Sequence, residues 1–363
     1  MIKEAIFSVH DIIFFKIVAQ QDYQKTFNKI LFQYNTFYLK EQTKKIDSLD
    51  FTVYLGSFSP SNENCYIIDD KYHIKDNYFY CKDSRKLSTW KLEMVGFNSG
   101  IIRVNLQTNR FGKISVPLNM IDFLIHYVVN EKGSSIIHSS GVSNNNNNVM
   151  LFSARGGGGK TSIAAHFIDK GFKFLGDNFI ILRNGHALSF ISPFNIFTYN
   201  VTPLVKRNLG YKKKFILFLV GTIYKLTLSY IKIFVKLDIG NIMKDSTEKN
   251  GMIKSIFFII PNNSLDSPEI ENICFDDLIE HLVLNQKLEF LHLPFLNYIL
   301  AISYVYPEIN FSKHWDKYKN NLKVNITKNI KTYRINMPKK INNNIIYYLQ
   351  SEISKLDGEN ERN

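Results

Sequence analysis

The sequence predicts an α/β fold in two parts: a mainly β amino-terminal domain over residues 1–116 and an α/β domain over residues 117–345, followed by a polar tail at 346–363. Three observations predict it. Short apolar and aromatic runs recur through residues 1–116, divided by clusters of Asn, Asp, Gly and Ser. At Pro117 the apolar spacing changes from that of strands to that of helices. Further on, the glycine run of FSARGGGGKTS separates an apolar stretch from a second helical pattern.

The elements follow in order. MIKEAIFSVHDIIFFK is interrupted by Glu4, His10 and Asp11, which makes it a poor signal peptide. DFTVYLGSF, CYIIDD, NYFYCKD, TWKLEMVGF and IIRVNLQ read as strands, and a scaffolding or substrate-facing role suits this domain better than a catalytic one. In LNMIDFLIHYVVNEKG, Met120, Ile121, Leu124, Tyr127 and Val128 share one face of a helix that stops near Gly133. SSIIHSSGVSNNNNNVMLFSA then gives two apolar runs around Asn144 to Asn148. Asparagine tolerates left-handed backbone angles, so the run is expected to turn the chain between paired strands.

The glycine run is not a linker, because linkers lack apolar flanks. Upstream, Val149 to Ala154 reads as a buried strand; downstream, Ile163, Ala164, Phe167 and Ile168 recur at helical spacing and Gly171 stops the helix. A glycine loop between a strand and a helix lets backbone N–H groups converge on phosphate oxygens, with the positive end of the helix adding to the attraction. The stretch fits G-x-x-x-x-G-K-[ST] with Ala154 at the first position and Gly159, Lys160 and Thr161 at the last three. The expected nucleotide-phosphate site is therefore Ala154, Arg155, Gly156, Gly157, Gly158, Gly159, Lys160, Thr161 and Ser162. After the helix, FKFLGD closes an apolar strand on Asp177. A carboxylate there can hold the metal of a magnesium nucleotide or accept the proton of an attacking hydroxyl.

Bulk properties limit the partners. The 363 residues, 45% hydrophobic, suffice for a folded chain of two domains. A formal charge of +13 and a pI near 9.3 invite nucleic acid, but no recognition motif accompanies the charge. The abundance of Lys, Asn, Ile, Phe and Tyr is what an AT-rich coding sequence produces, so nucleic acid is not an expected partner. Cys65, Cys81 and Cys274 are too few and scattered for a disulfide framework or a zinc site, which points to a reducing, cytoplasmic setting. The nine histidines show no metal-ligand spacing.

IIHSSGV, ARGGGGKTS, the helix after it, GF and FLGDN together resemble the catalytic core of the HPr kinase/phosphorylase family and its wider relatives. In that family a histidine-bearing strand precedes the Walker A loop and an Asp-Asp pair follows the loop helix, at a spacing similar to that between Lys160 and Asp177. The resemblance covers about residues 120 to 195. It implies a P-loop-containing HPr kinase-like C-terminal core that uses ATP and Mg²⁺ to phosphorylate a hydroxyl-bearing substrate. Lys160 would contact the β- and γ-phosphates, Thr161 would hold Mg²⁺, Asp177 would act as base or metal residue, and His138 would match the active-site histidine. Asn178 stands where the family has its second aspartate, and the family's downstream signature with glycine and arginine has no counterpart. The resemblance thus carries transfer to a hydroxyl, of a protein serine, sugar or lipid-linked alcohol, rather than HPr itself. The competing class is a nucleotide-binding switch or interaction protein without phosphoryl transfer.

Residues 203–245 read as an apolar helical insertion. Within 206–237, Thr222, Lys225, Ser229, Lys232 and Lys236 recur at alternating steps of three and four, a polar stripe on an otherwise apolar helix. Its lysines and short clean run, Phe215 to Tyr224, argue against a membrane span. Two readings remain: packing against the chain or a second subunit, giving a homo-oligomer, or peripheral contact with a membrane surface beside Lys206, Arg207, Lys212, Lys213 and Lys214. IKSIFFIIP and KTYRINMP then read as strands and DDLIEHLVLNQ as a helix; Lys254 and Arg334 could reach phosphate, with nothing but their charge to suggest it.

Overall fold

The computed structural model describes residues 2–40, 48–98, 100–196, 210–226, 235–237, 246–291, 294–339 and 341–358. The strands are β1 (Lys3–Val9), β2 (Ile13–Ala19), β3 (Phe51–Leu55), β4 (Tyr66–Ile68), β5 (Tyr72–Lys75), β6 (Tyr78–Arg85), β7 (Ser88–Val95), β8 (Ile102–Thr108), β9 (Ser135–Ile137), β10 (Ser139–Ser143), β11 (Asn148–Ala154), β12 (Lys173–Gly176), β13 (Ile180–Arg183), β14 (His186–Leu188), β15 (Phe194–Ile196), β16 (Val235–Leu237), β17 (Asn250–Asn262), β18 (Glu269–Asn272) and β19 (Lys331–Pro338). The helices are α1 (Gln24–Gln33), α2 (Ser115–Glu131), α3 (Lys160–Asp169), α4 (Tyr211–Leu226), α5 (Phe275–Phe290), α6 (Phe295–Val305), α7 (His314–Asn325) and α8 (Asn343–Gly358). The chain is a mixed α/β protein with two main sheets.

It divides into two compact units: Met1–Ser135 with Lys287–Leu322, and Ile136–Gln286 with Lys323–Asn363. The first unit holds a sheet in the order β1-β2-β3-β8-β7-β6-β5-β4. The β1–β2 hairpin turns at His10 and Asp11, whose φ angles of 53° and 55° suit the right-handed twist of the strands. Phe7, Phe15 and Phe51 stack across β1, β2 and β3 with centroids 4.7 Å apart at each step. On β7, Trp90 Nε1 donates to Tyr298 Oη (3.0 Å), which donates in turn to Asp83 (3.0 Å).

The second unit is built on β12-β10-β11-β17-β14-β13-β9, with β19 pairing both β17 and β18. Its center is parallel: β17 lies between β11 and β19 and runs with both. β11 and the middle of β17 are nearly continuous apolar runs, as strands buried on two faces must be, whereas β19 alternates. Phe152, Phe257 and Tyr333 stack across them at 5.3 and 5.0 Å. The asparagine turn forms as expected: Asn144 Oδ1 accepts from the amides of Asn146 and Asn148 (both 3.0 Å), and Asn147 takes φ 61°.

Three expectations change. Helix α2, read as opening the second domain at residue 117, belongs to the first unit, because it packs on β2 and β3. Residues 346–363 were expected to be a polar tail, yet α8 covers their first part. Ile346, Leu349 and Ile353 of α8 are buried with Phe152, Phe167 and Phe257 in one hydrophobic core, and Asn342 Oδ1 caps the helix by accepting from the Ile345 amide (2.9 Å). The stretch 206–237 is not one helix: α4 ends at Leu226, and Val235–Leu237 pairs antiparallel with β15, so Lys236 sits on a strand. Lys206, Arg207, Ser229 and Lys232 lie outside the described residues.

Candidate functional site

The site grows out of the edge β12-β10-β11 and the helix that follows it. β11 ends in the buried Ala154, and the chain passes through Arg155 to Gly159 into α3. The loop needs glycine for two separate reasons. A Cβ on Gly158 would stand 2.7 Å from the Ala154 Cβ, so an alanine at position 154 is tolerated only because its neighbor lacks a side chain. Gly157 and Gly159 take φ of 87° and 90°, a region L-residues disfavor. The Gly158 amide donates to Arg155 O (3.0 Å) and the Ile163 amide to Gly159 O (3.0 Å), which fixes the loop onto the first turn of α3. Gly159 is the N-cap and supplies no side-chain cap, so the first turn of α3 keeps the amide-rich, positive character of a helix start. Lys160 is the first helical residue and is buried.

Thr161 and Asp177 come together. The Thr161 hydroxyl lies 3.0 Å from each carboxylate oxygen of Asp177, which is buried. The β10–β12 register explains how the carboxylate is aimed. Gly141 pairs with Gly176, so the next residues outward are Ser140 and Asp177, and the Ser140 hydroxyl donates to Asp177 Oδ1. Asp177 therefore receives hydroxyls from two sides, one from a neighboring strand and one from the loop helix. Asn178 has φ 81°, a conformation asparagine accepts more readily than most residues, and its carbonyl accepts from the Ser139 amide (3.2 Å).

The other expected residues are placed as follows. His138 is buried at the bend between β9 and β10; its ring meets Phe179 edge-on at 6.3 Å. Its carbonyl accepts from Ser153 Oγ (3.0 Å) and Asn285 Nδ2 (3.3 Å). Arg155 reaches the carbonyl of Asn285 (3.4 Å). Ser162 gives its carbonyl to His166 Nδ1 (2.8 Å). Arg334, read as a cation in reach of phosphate, instead pairs with Glu271 (2.6 Å) on β18. Lys254 lies beside Asn148 and Met150, at the end of β11 remote from the loop.

Sequence reasoning missed Ser140 and Asn285. Ser140 is one residue from the strand pair that a register argument would have aligned, so IIHSSGV held a usable signal. Asn285 comes from α5, far along the chain, and nothing local marked it.

Thr161 and Asp177 suit a magnesium ion chemically, since both offer hard oxygen donors and Mg²⁺ takes one or two protein oxygens together with phosphate and water. No group of three or more His, Cys, Asp or Glu residues that could hold a metal occurs among the described residues.

No protein-family model and no curated protein matches the chain. Among solved structures it is similar to the Hpr(Ser) kinase/phosphatase from Coxiella burnetii, at 10% identity and a TM-score of 0.30, over 62% of this chain and 99% of that one. At those values the similarity is a distant one.

Proposed function

We propose that the second unit is a P-loop core of the HPr kinase-like kind, which binds ATP with Mg²⁺ and transfers the γ-phosphoryl group to a hydroxyl. The observation that carries the proposal is the Thr161–Asp177 contact at the foot of the Gly156–Gly159 loop, with the buried Lys160 beside it. A threonine hydroxyl on a strand-end carboxylate, one residue after the loop lysine, is the arrangement a magnesium nucleotide requires.

In this reading the loop amides and the Lys160 ammonium hold the β- and γ-phosphates. Thr161 and Asp177 would hold Mg²⁺, whose charge offsets that of the phosphates. As the acceptor oxygen bonds to phosphorus, its proton passes to Asp177 and ADP leaves with its new charge facing Lys160. Positioning and electrostatics supply most of such catalysis. His138 enters through the family resemblance alone.

A second reading, a nucleotide-binding switch without transfer, is favored by one observation. The Asp177 carboxylate is already engaged by two hydroxyls of this chain, Ser140 and Thr161, rather than held open for an acceptor. Calorimetry with ATP and Mg²⁺ tests binding: the full chain should give heat that Lys160→Ala abolishes, and equal heats from both would overturn either reading. Labeled γ-phosphate on an acceptor other than water, lost in Asp177→Asn, separates the kinase from the switch.

A further inference from the structure

Among the described side chains of helix α4, Leu217 is the one buried in the second unit. Leu217 is 7% exposed and joins the core of Phe152, Phe167 and Tyr333. Away from it, Tyr211 (91% exposed), Phe215 (63%), Phe218 (69%) and Leu226 (78%) recur at steps of four, three and eight. With about 3.6 residues per turn these positions form one stripe running the length of the helix, about 22 Å. Thr222 lies in the same stripe, and its hydroxyl donates to the carbonyl of Phe218 (3.1 Å), so it asks nothing of its surroundings. Of the polar stripe expected around Thr222, only Thr222 itself has a described side chain, and it lies in the exposed apolar face. Soluble surfaces seldom leave such a row of aromatic and aliphatic side chains uncovered.

Charge decides what covers it. Residues 203–237 contain Lys206, Arg207, Lys212, Lys213, Lys214, Lys225, Lys232 and Lys236 and no Asp or Glu. Lys214 is exposed at the start of the stripe, its ammonium 5.8 Å from the Tyr211 ring centroid. A second copy of this chain would present the same acid-free, basic segment to the first. An anionic surface supplies both what the stripe needs and what the lysines need. Among the described residues no single helix is long and apolar enough to cross a membrane.

We propose that α4 lies in the plane of an anionic lipid surface, with Tyr211, Phe215, Phe218 and Leu226 inserted and the exposed Lys214 at the headgroups, the further positive charge of the segment adding to the attraction. Such a helix buries its apolar face about 5–10 Å deep, which makes the protein a peripheral membrane protein. The proposal is independent of the chemistry at Asp177.

The test is sedimentation of the full chain with vesicles of phosphatidylcholine containing one part in about three of phosphatidylserine, beside pure phosphatidylcholine vesicles. The protein should pellet with the anionic vesicles at low salt and be released as salt rises. Each lysine near an anionic leaflet is worth about fivefold, so K212Q/K213Q/K214Q should weaken partitioning about a hundredfold. F215S/F218S should weaken it at least tenfold, and because both side chains are exposed its thermal unfolding should match that of the parent. Binding to neutral vesicles as tight as to anionic ones would overturn the proposal, as would absence of pelleting, or self-association by analytical ultracentrifugation that F215S/F218S abolishes.

Discussion

Ser140 sets the orientation of the carboxylate on which the site depends, because its hydroxyl and that of Thr161 approach Asp177 from different elements. Removing one donor from a buried carboxylate costs about 1–3 kcal/mol, so Ser140→Ala should lower unfolding stability by that order and loosen the carboxylate. The expected signature in binding is selective: the gain in ATP affinity on adding Mg²⁺ shrinks several-fold, while affinity without the metal is unchanged. Ser140→Thr, which keeps the hydroxyl, should restore it. Equal loss with and without Mg²⁺ would place Ser140 outside the metal subsite. Thr161 and Asp177 were legible in the sequence because each follows an element whose pattern is local, the loop helix and an apolar strand. Ser140 depends on which residue of β10 lies opposite Gly176, and pairing register is a property of two strands rather than one.

Of the first unit's strands, β3, β4, β6, β7 and β8 were readable and β1, β2 and β5 were not singled out, while the asparagine turn was legible because its backbone demand and side-chain chemistry lie in the same five residues. Elements whose stability comes from a distant partner were not. Helix α8 has a narrow apolar stripe of Ile346, Leu349 and Ile353 among Tyr, Gln, Ser and Glu, and becomes legible only when the core that receives it is known. In the 206–237 segment the helical spacing continues past Leu226, yet Val235–Leu237 is a strand, a conformation the β-branched Val235 favors. The center of the second unit gives the prediction at this scale. Phe257 on β17 stacks between Phe152 (interplanar angle 20°) and Tyr333 (13°), and it is buried. Phe257→Ala should cost about 3–5 kcal/mol in urea unfolding, and Phe257→Leu, which refills most of the space, should recover the larger part. A loss below about 1 kcal/mol would mean that the stack is not the core of the parallel sheet.

At the scale of the whole chain, a buried histidine pair in the first unit is expected to make stability fall in acid. The His126 ring lies among Phe290, His314, Trp315 and Tyr318, with centroids 4.9 to 5.9 Å away, and neither of its nitrogens has a hydrogen-bond partner. Asn130 Nδ2 is 3.1 Å from His314 Nδ1, and Lys317, itself paired with Glu131 (2.9 Å), adds positive charge nearby. Burial, reinforced by Lys317, lowers the His314 pKa from 6.5 to about 3, and burial with His314 as neighbor lowers that of His126 well below its ordinary value. In both cases the unfolded chain takes up the proton first. The stabilization is thus complete above pH 6.5 and drains away as the pH falls toward 3. At pH 5.5, one unit below its unfolded value, His314 alone should cost about 1.4 kcal/mol relative to neutral pH, and His126 adds to it in the same direction. The chain also carries a formal charge of +13 at pH 7, which grows in acid and contributes its own repulsion, so the histidine share must be read by difference. His126→Phe keeps an aromatic ring in an aromatic nest and removes one titrating group. Its unfolding free energy, measured by urea from pH 7.5 to 5, should fall less steeply than the parent's, so that the two curves converge or cross in acid. Parallel curves would show that His126 takes up its proton equally in the folded and unfolded states, leaving His314 and net charge as the sources of acid sensitivity.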